Sequence, residues 1–172
     1  MRLRWLAPLL LAGCVNNSGG EPPPGDPVGG FELILDSLAC VEAGNRGEFI
    51  ETVADANAWV QPCVDGPQRN TVQERLISEV ADLSGTAGLV AIDVPLTGCE
   101  QGLELVDLYL DGTTLRPWLL KRDTAWGREG NECGITGSAQ TYFLMQGADR
   151  VDTIGLWIGR YNPDFGTPLV VE

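Results

Sequence analysis

The sequence predicts an α+β fold leaning to all-β: a mainly antiparallel sheet with two short helices and two disulfides. Three observations lead there. Apolar residues recur at helical spacing at Val72, Leu76, Ile77, Val80 and Leu83, whereas short turn-bounded runs dominate from Ala87 onward. Between two such runs stands Asp111-Gly112, the strongest short hairpin signal. With Cys14 set aside, Cys40, Cys63, Cys99 and Cys133 remain, an even number that suits disulfides in an oxidising compartment.

Taken in order, Phe31 to Asp36 reads as an opening strand and Glu48 to Val53 as the next, after the turn Ala43 to Gly47. Asp55 caps a short helix from Ala56 to Gln61, stopped by Pro62, with Trp59 on its buried face. Asp65 to Asn70 is a loop. Thr71 and Glu74 have capping-box spacing at the head of the main helix, Val72 to Leu83, which Ser84-Gly85 ends. Gly88 to Val94 is a strand, and Leu103 to Leu110 with Thr114 to Arg122 are the arms of the Asp-Gly hairpin. The apolar alternation slips between Leu105 and Val106, which predicts a bulge. Pro117 confines the second arm to an edge or irregular position. Thr141 to Met145 and Thr153 to Ile158 form a further pair around the turn Gln146 to Arg150, and Leu169 to Val171 is a last strand. The simplest arrangement is one sheet with the helices on one face.

The start of the chain reads as an address. Arg2 and Arg4 form a basic n-region, Trp5 to Leu11 a short apolar h-region, and Leu11-Ala12-Gly13-Cys14 closes it. This tetrapeptide resembles the bacterial lipobox, so residues 1–13 are expected to be a lipoprotein signal peptide and Cys14 the lipidated residue. Multiple acyl chains there give stable attachment at ~0.8 kcal/mol per buried CH₂. The h-region is short of the roughly 20 apolar residues a spanning helix needs. Residues 14–30 combine the lipidated Cys with a Gly/Pro-rich tether, and residues 31–172 form a single globular domain. Val15 after the lipid Cys, where Asp commonly signals inner-membrane retention, favours the outer membrane in a Gram-negative cell. The implied partners are the lipid bilayer and another envelope protein, with oligomeric state left open.

Composition narrows the chemistry. Eleven basic against 24 acidic residues give a net charge of −13, which argues against nucleic acid and anionic lipid head groups as ligands. There is no His, so Ser-His-Asp and Cys-His sites, most catalytic zinc sites and the commonest neutral-pH base are excluded. No cofactor or metal site is implied. The four cysteines lack CxxC spacing and allow three disulfide connectivities; the favoured one links neighbours, Cys40 with Cys63 and Cys99 with Cys133, each bridge contributing about 2–4 kcal/mol.

Ala54 to Val60, the strand Leu89 to Val94, Leu96-Thr97-Gly98, a hairpin, and Tyr142-Phe143-Leu144 follow one another in an order similar to the C-terminal domain family of the protease-complex subunit PrcB, over residues 48–158. The family's Thr-Gly-Gly-Tyr turn is here Thr97-Gly98-Cys99-Glu100. What the resemblance implies is a β-rich accessory domain with no catalytic residues to carry over.

The remaining constellations are weighed on spacing. Asp107 with Asp111, or Glu100 with Glu104, are candidates for acid/base work on a glycoside. Asp149, Asp152 and Asp164 are oxygen donors without an EF-hand loop. A Ser/Lys dyad depends on Lys121, the only Lys, with Ser37, Ser78, Ser84 or Ser138 as nucleophile. Trp118, Trp126, Trp157, Tyr161 and Phe165 are candidates for a stacking platform. The expectation is a non-catalytic binding domain that contacts another envelope protein through loops at Trp126 and Asn162. The alternatives are a carbohydrate-binding or glycan-active domain and a structural surface lipoprotein.

Overall fold

A computed structural model describes residues 22–41, 44–98, 100–123, 135–161 and 170–171. The fold is α+β, with mainly antiparallel strands and two helices, but its strands divide between two sheets rather than one. Sheet A runs in the order β1 (Asp26–Pro27), β5 (Glu100–Asp111), β6 (Thr114–Asp123), β9 (Trp157–Tyr161), β10 (Val170–Val171), with β8 (Thr153–Ile154) also on β6. Sheet B runs β2 (Phe31–Cys40), β7 (Ile135–Met145), β4 (Gly88–Gly98), β3 (Arg46–Ile50).

The layering follows from the faces of β4 and β7. Val90, Ile92, Val94 and Leu96 of β4, with Phe143 and Met145 of β7, meet Leu103, Leu108, Leu115 and Leu119 of sheet A in one core. The opposite faces, with Leu89, Ala91 and Tyr142, pack against Trp59 and Val60 of α1 (Val53–Val60) and Val72 and Leu76 of α2 (Pro67–Asp82). The chain therefore builds three layers: helices, sheet B, sheet A. Strands buried on both faces carry long apolar runs, which is why Leu89 to Val94 is almost unbroken.

Both helices begin earlier than their sequence signals. Thr52, not Asp55, is the N-cap of α1; Asp55 stands at N3, where its carboxylate accepts the Thr52 N–H at 2.9 Å while its own N–H donates to Thr52 Oγ1 at 3.1 Å. That is a capping box with Asp as its acidic member. The acid's hydrogen bonds with Thr52 hold its carboxyl below the usual carboxylate range. α2 starts at Pro67 behind Gly66, so the expected loop Asp65 to Asn70 is in large part helix. Proline at the first helical position sacrifices only an N–H that has no helical partner. Thr71 lies inside the helix and donates its hydroxyl to Pro67 O at 2.9 Å instead of capping.

The Asp-Gly hairpin is present, with Asp111 opposite Thr114 and Gly112 at φ 63°. Its register shifts between Leu105 and Asp107, at the expected bulge. Pro117, however, sits in a central strand. Its missing N–H is tolerated because Leu108, opposite it, turns its carbonyl toward Val28 N–H at 2.8 Å, and because the pairing of β6 with its other neighbours is interrupted there. The expected pairing of Thr141–Met145 with Thr153–Ile158 does not occur. β7 lies between β2 and β4 in sheet B, whereas β8 and β9 run parallel to β6 in sheet A. A 3-10 turn, Ala148–Arg150, carries the chain from one sheet to the other.

The Gly/Pro-rich segment is partly built into the domain. β1 pairs with β5 at Asp26–Leu110 and Pro27–Tyr109, and Pro23 and Val28 are buried. One disulfide joins Cys40 to Cys63, which face each other across an antiparallel bridge between β2 and the α1–α2 connection. Cys99 and Cys133 lie outside the described residues.

Candidate functional site

Three chain-distant segments enclose an open groove of about 400 Å³ at one end of sheet B. β3 ends there with Phe49, Ile50 and then Glu51; the turn after α2 brings Leu83; the 3-10 turn brings Asp149 and then Val151. The floor depends on Gly88. A Cβ there would stand 2.5 Å from Ala148 Cβ and 2.9 Å from Phe49 Cε1, so only glycine lets the turn and the ring close on β4. Ala148 N–H donates to Thr86 O at 2.9 Å and ties the two walls together. Phe49 is half-buried, while Glu51 and Asp149 are exposed. An apolar floor thus lies beneath two solvent-facing carboxylates.

A second feature is a polar cluster buried beneath α1. Asp93, on β4, lies opposite Arg46 of β3 and Gln140 of β7, and is 3% exposed. Burial raises its carboxyl above the usual range; Ser138, the Arg46 guanidinium, the Gly44 N–H and Gln140 pull it partly back. Gln140 Oε1 lies 3.1 Å from Cys63 Sγ and accepts the Tyr142 hydroxyl. Burial, chiefly, pushes that hydroxyl well above its ordinary range. Arg46 also covers the Trp59 ring at 4.1 Å, a cation–π contact. The cluster joins β3, β4, β7 and α1 beside the disulfide.

The carboxylates considered for acid/base work are not brought together as pairs. Glu100 is buried and bonds Lys121 Nζ at 3.0 Å, which also donates to Pro95 O at 2.7 Å. Glu104 takes Arg122 at 2.8 Å, Asp111 takes Arg116 at 3.0 Å, and Asp107 accepts the Leu108 N–H at 2.8 Å. Lys121 is thus engaged between the sheets, and Ser37 Oγ accepts the Leu103 N–H at 3.4 Å. Asp149 and Asp152 are exposed, and Asp164 is outside the described residues. Among the described residues no group of three His, Cys, Asp or Glu side chains converges to hold a metal ion, and no helix is long and apolar enough to cross a membrane.

Of the aromatic candidates, Trp118 and Trp157 are register partners on β6 and β9, and Tyr109 meets Trp118 edge-on at 6.4 Å. Trp118 is only 5% exposed, so it packs rather than offering a stacking face. Tyr161 pairs with Arg122 in register. Trp126, Asn162 and Phe165, like Cys14, lie outside the described residues. Sequence reasoning missed the groove; its only local trace is the glycines Gly85 and Gly88 around the start of β4.

In comparisons with protein-family models, curated proteins and solved structures, no match to the chain is found.

Proposed function

We propose that the protein is a bacterial lipoprotein, exported and held at the membrane through acylated Cys14, whose folded part is a non-catalytic binding domain for another envelope protein. The observation that carries the binding reading is the groove between Phe49, Leu83 and Val151, open to solvent and rimmed by Glu51 and Asp149. Its position suits a partner at the membrane. β2 begins opposite Met145, and so does β4 at Gly88, so the groove lies at the end of sheet B where β2 begins. β1 at Asp26–Pro27 joins the chain to β5 of sheet A.

A second bridge, Cys99–Cys133, belongs to the same proposal. Gly98 pairs with Ile135 at the ends of β4 and β7, and the two cysteines follow and precede that pair by one and two residues. Support for the anchor comes from the Leu11-Ala12-Gly13-Cys14 motif, and in a Gram-negative cell the destination is the outer membrane. Radiolabelled palmitate should enter the native chain and not Cys14→Ala. A photo-crosslinking residue at Thr86 should capture one discrete larger adduct in intact cells; recovery of monomer alone would sink the binding reading. Non-reducing peptide mapping that joined Cys99 to anything but Cys133 would remove the second bridge.

A further inference from the structure

We propose that the groove takes a cationic side chain, arginine or lysine, from an extended segment of the partner polypeptide. This rests on the groove being the binding surface and names the chemistry of its occupant. Every charge at the site has one sign. Glu51 and Asp149 are exposed carboxylates in its lining, and the lining contains no Lys or Arg. α2 ends at the groove with Asp82 followed by Leu83, and its last turn holds no basic residue. The partial negative charge of a helix C-terminus is therefore left for an outside cation to complement. Arg150, the nearest cation in sequence, turns its guanidinium back over Gly147, where it would lie 2.5 Å from an added Cβ.

The floor selects further. Phe49, Leu83 and Val151 present apolar surface that suits the methylene stem of Lys or Arg, with the charged head at the carboxylate rim. A volume of about 400 Å³ accommodates one such side chain and part of its neighbours. The net charge of −13 draws a basic segment toward the domain and repels an acidic one. A bare metal ion or a wholly apolar helix satisfies only one half of this surface.

The test is fluorescence anisotropy of the purified full-length chain with two labelled peptides, Ac-Leu-Arg-Leu-Arg-Leu and Ac-Leu-Gln-Leu-Gln-Leu. The Arg peptide should bind about tenfold more tightly at low salt, with the advantage shrinking at high salt. Replacing the rim charges (Glu51→Gln with Asp149→Asn) should cut the advantage below about twofold, whereas Asp26→Asn with Glu74→Gln, exposed charges outside the groove lining, should leave it intact. Both pairs are exposed, so circular dichroism should show an unchanged fold. Equal binding of the two peptides, abolished by a groove-filling Thr86→Trp, would overturn the cationic occupant and leave the groove reading standing. Equal loss of the advantage in both double variants would overturn it as a general charge effect. Absence of binding by either peptide, or binding that Thr86→Trp does not touch, would overturn the groove reading itself.

Discussion

The Asp36 carboxylate accepts the backbone N–H of Leu105 at 2.8 Å, joining a bulged stretch of β2 in sheet B to the bulge of β5 in sheet A. Among the described residues, β1 pairs with β5 at Tyr109 and Leu110 and no strand flanks β5 at Leu103 and Leu105 on that side. Side chains from β2 accept the N–H groups there, Ser37 at Leu103 and Asp36 at Leu105. Side chains on these two donors blunt the edge as a template for another chain. Burial raises the Asp36 carboxyl above the usual range, and the Leu105 hydrogen bond and Arg122 act against that.

Replacing this acceptor exposes its worth. Asp36→Ala leaves a part-buried N–H unsatisfied and should lower stability by about 1–3 kcal/mol in urea denaturation. Asp36→Asn keeps an oxygen for Leu105 while removing the penalised charge, and should lose much less. Equal losses in the two variants would mean that the carboxylate's pairing with Arg122 matters more than the backbone bond.

Lys121 and Glu100 close the inter-sheet core from sheet A to Pro95 of β4. Their side chains are 12% and 3% exposed, so the pair is shielded from solvent screening. Lys121→Ala removes a cation from a buried carboxylate and should destabilise the fold, by up to about 3–5 kcal/mol. Lys121→Met combined with Glu100→Leu should recover most of that loss, as a double-mutant cycle in denaturant will report.

The Cys40–Cys63 bridge closes a segment of 23 residues that includes all of α1. Cys40→Ser with Cys63→Ser should destabilise the domain by about 2–4 kcal/mol, read as a lowered thermal midpoint. Tryptophan fluorescence should report the same transition, because Trp59 packs in the cluster that contains both cysteines.

Asp93 sets a pH dependence of definite sign. Its folded-state carboxyl titrates above the unfolded value near 3.8 because of burial, so between those two values the folded state binds more protons. The Asp93 contribution to stability therefore falls as pH rises through that window. Asp93→Asn should be the more stable chain at neutral pH, and its advantage should shrink as pH is lowered through the window. Denaturation curves at a series of pH values check this; an advantage independent of pH would show that hydrogen bonding, not charge burial, governs the site.

Local chemistry wrote much of this fold into the sequence. Asp111-Gly112 determined a hairpin and Leu105-Val106 its bulge, because turn geometry and strand alternation act over a few residues. The helical spacing of Val72, Leu76 and Val80 determined α2, and cysteine proximity in the chain the Cys40–Cys63 bridge. The absence of His, the acidic balance and the Leu11-Ala12-Gly13-Cys14 motif bounded the chemistry and the expected address. Tertiary structure decided the rest. Whether Thr141–Met145 pairs with Thr153–Ile158 or inserts between β2 and β4 depends on which apolar face buries more surface, and alternation is identical in either case. Pro117 could enter a central strand only because its neighbours leave a gap on its nitrogen side. The Asp36–Leu105 latch, the Asp93 cluster and the groove each join residues from distant segments, and no local pattern encodes a contact that only the packing of two sheets creates.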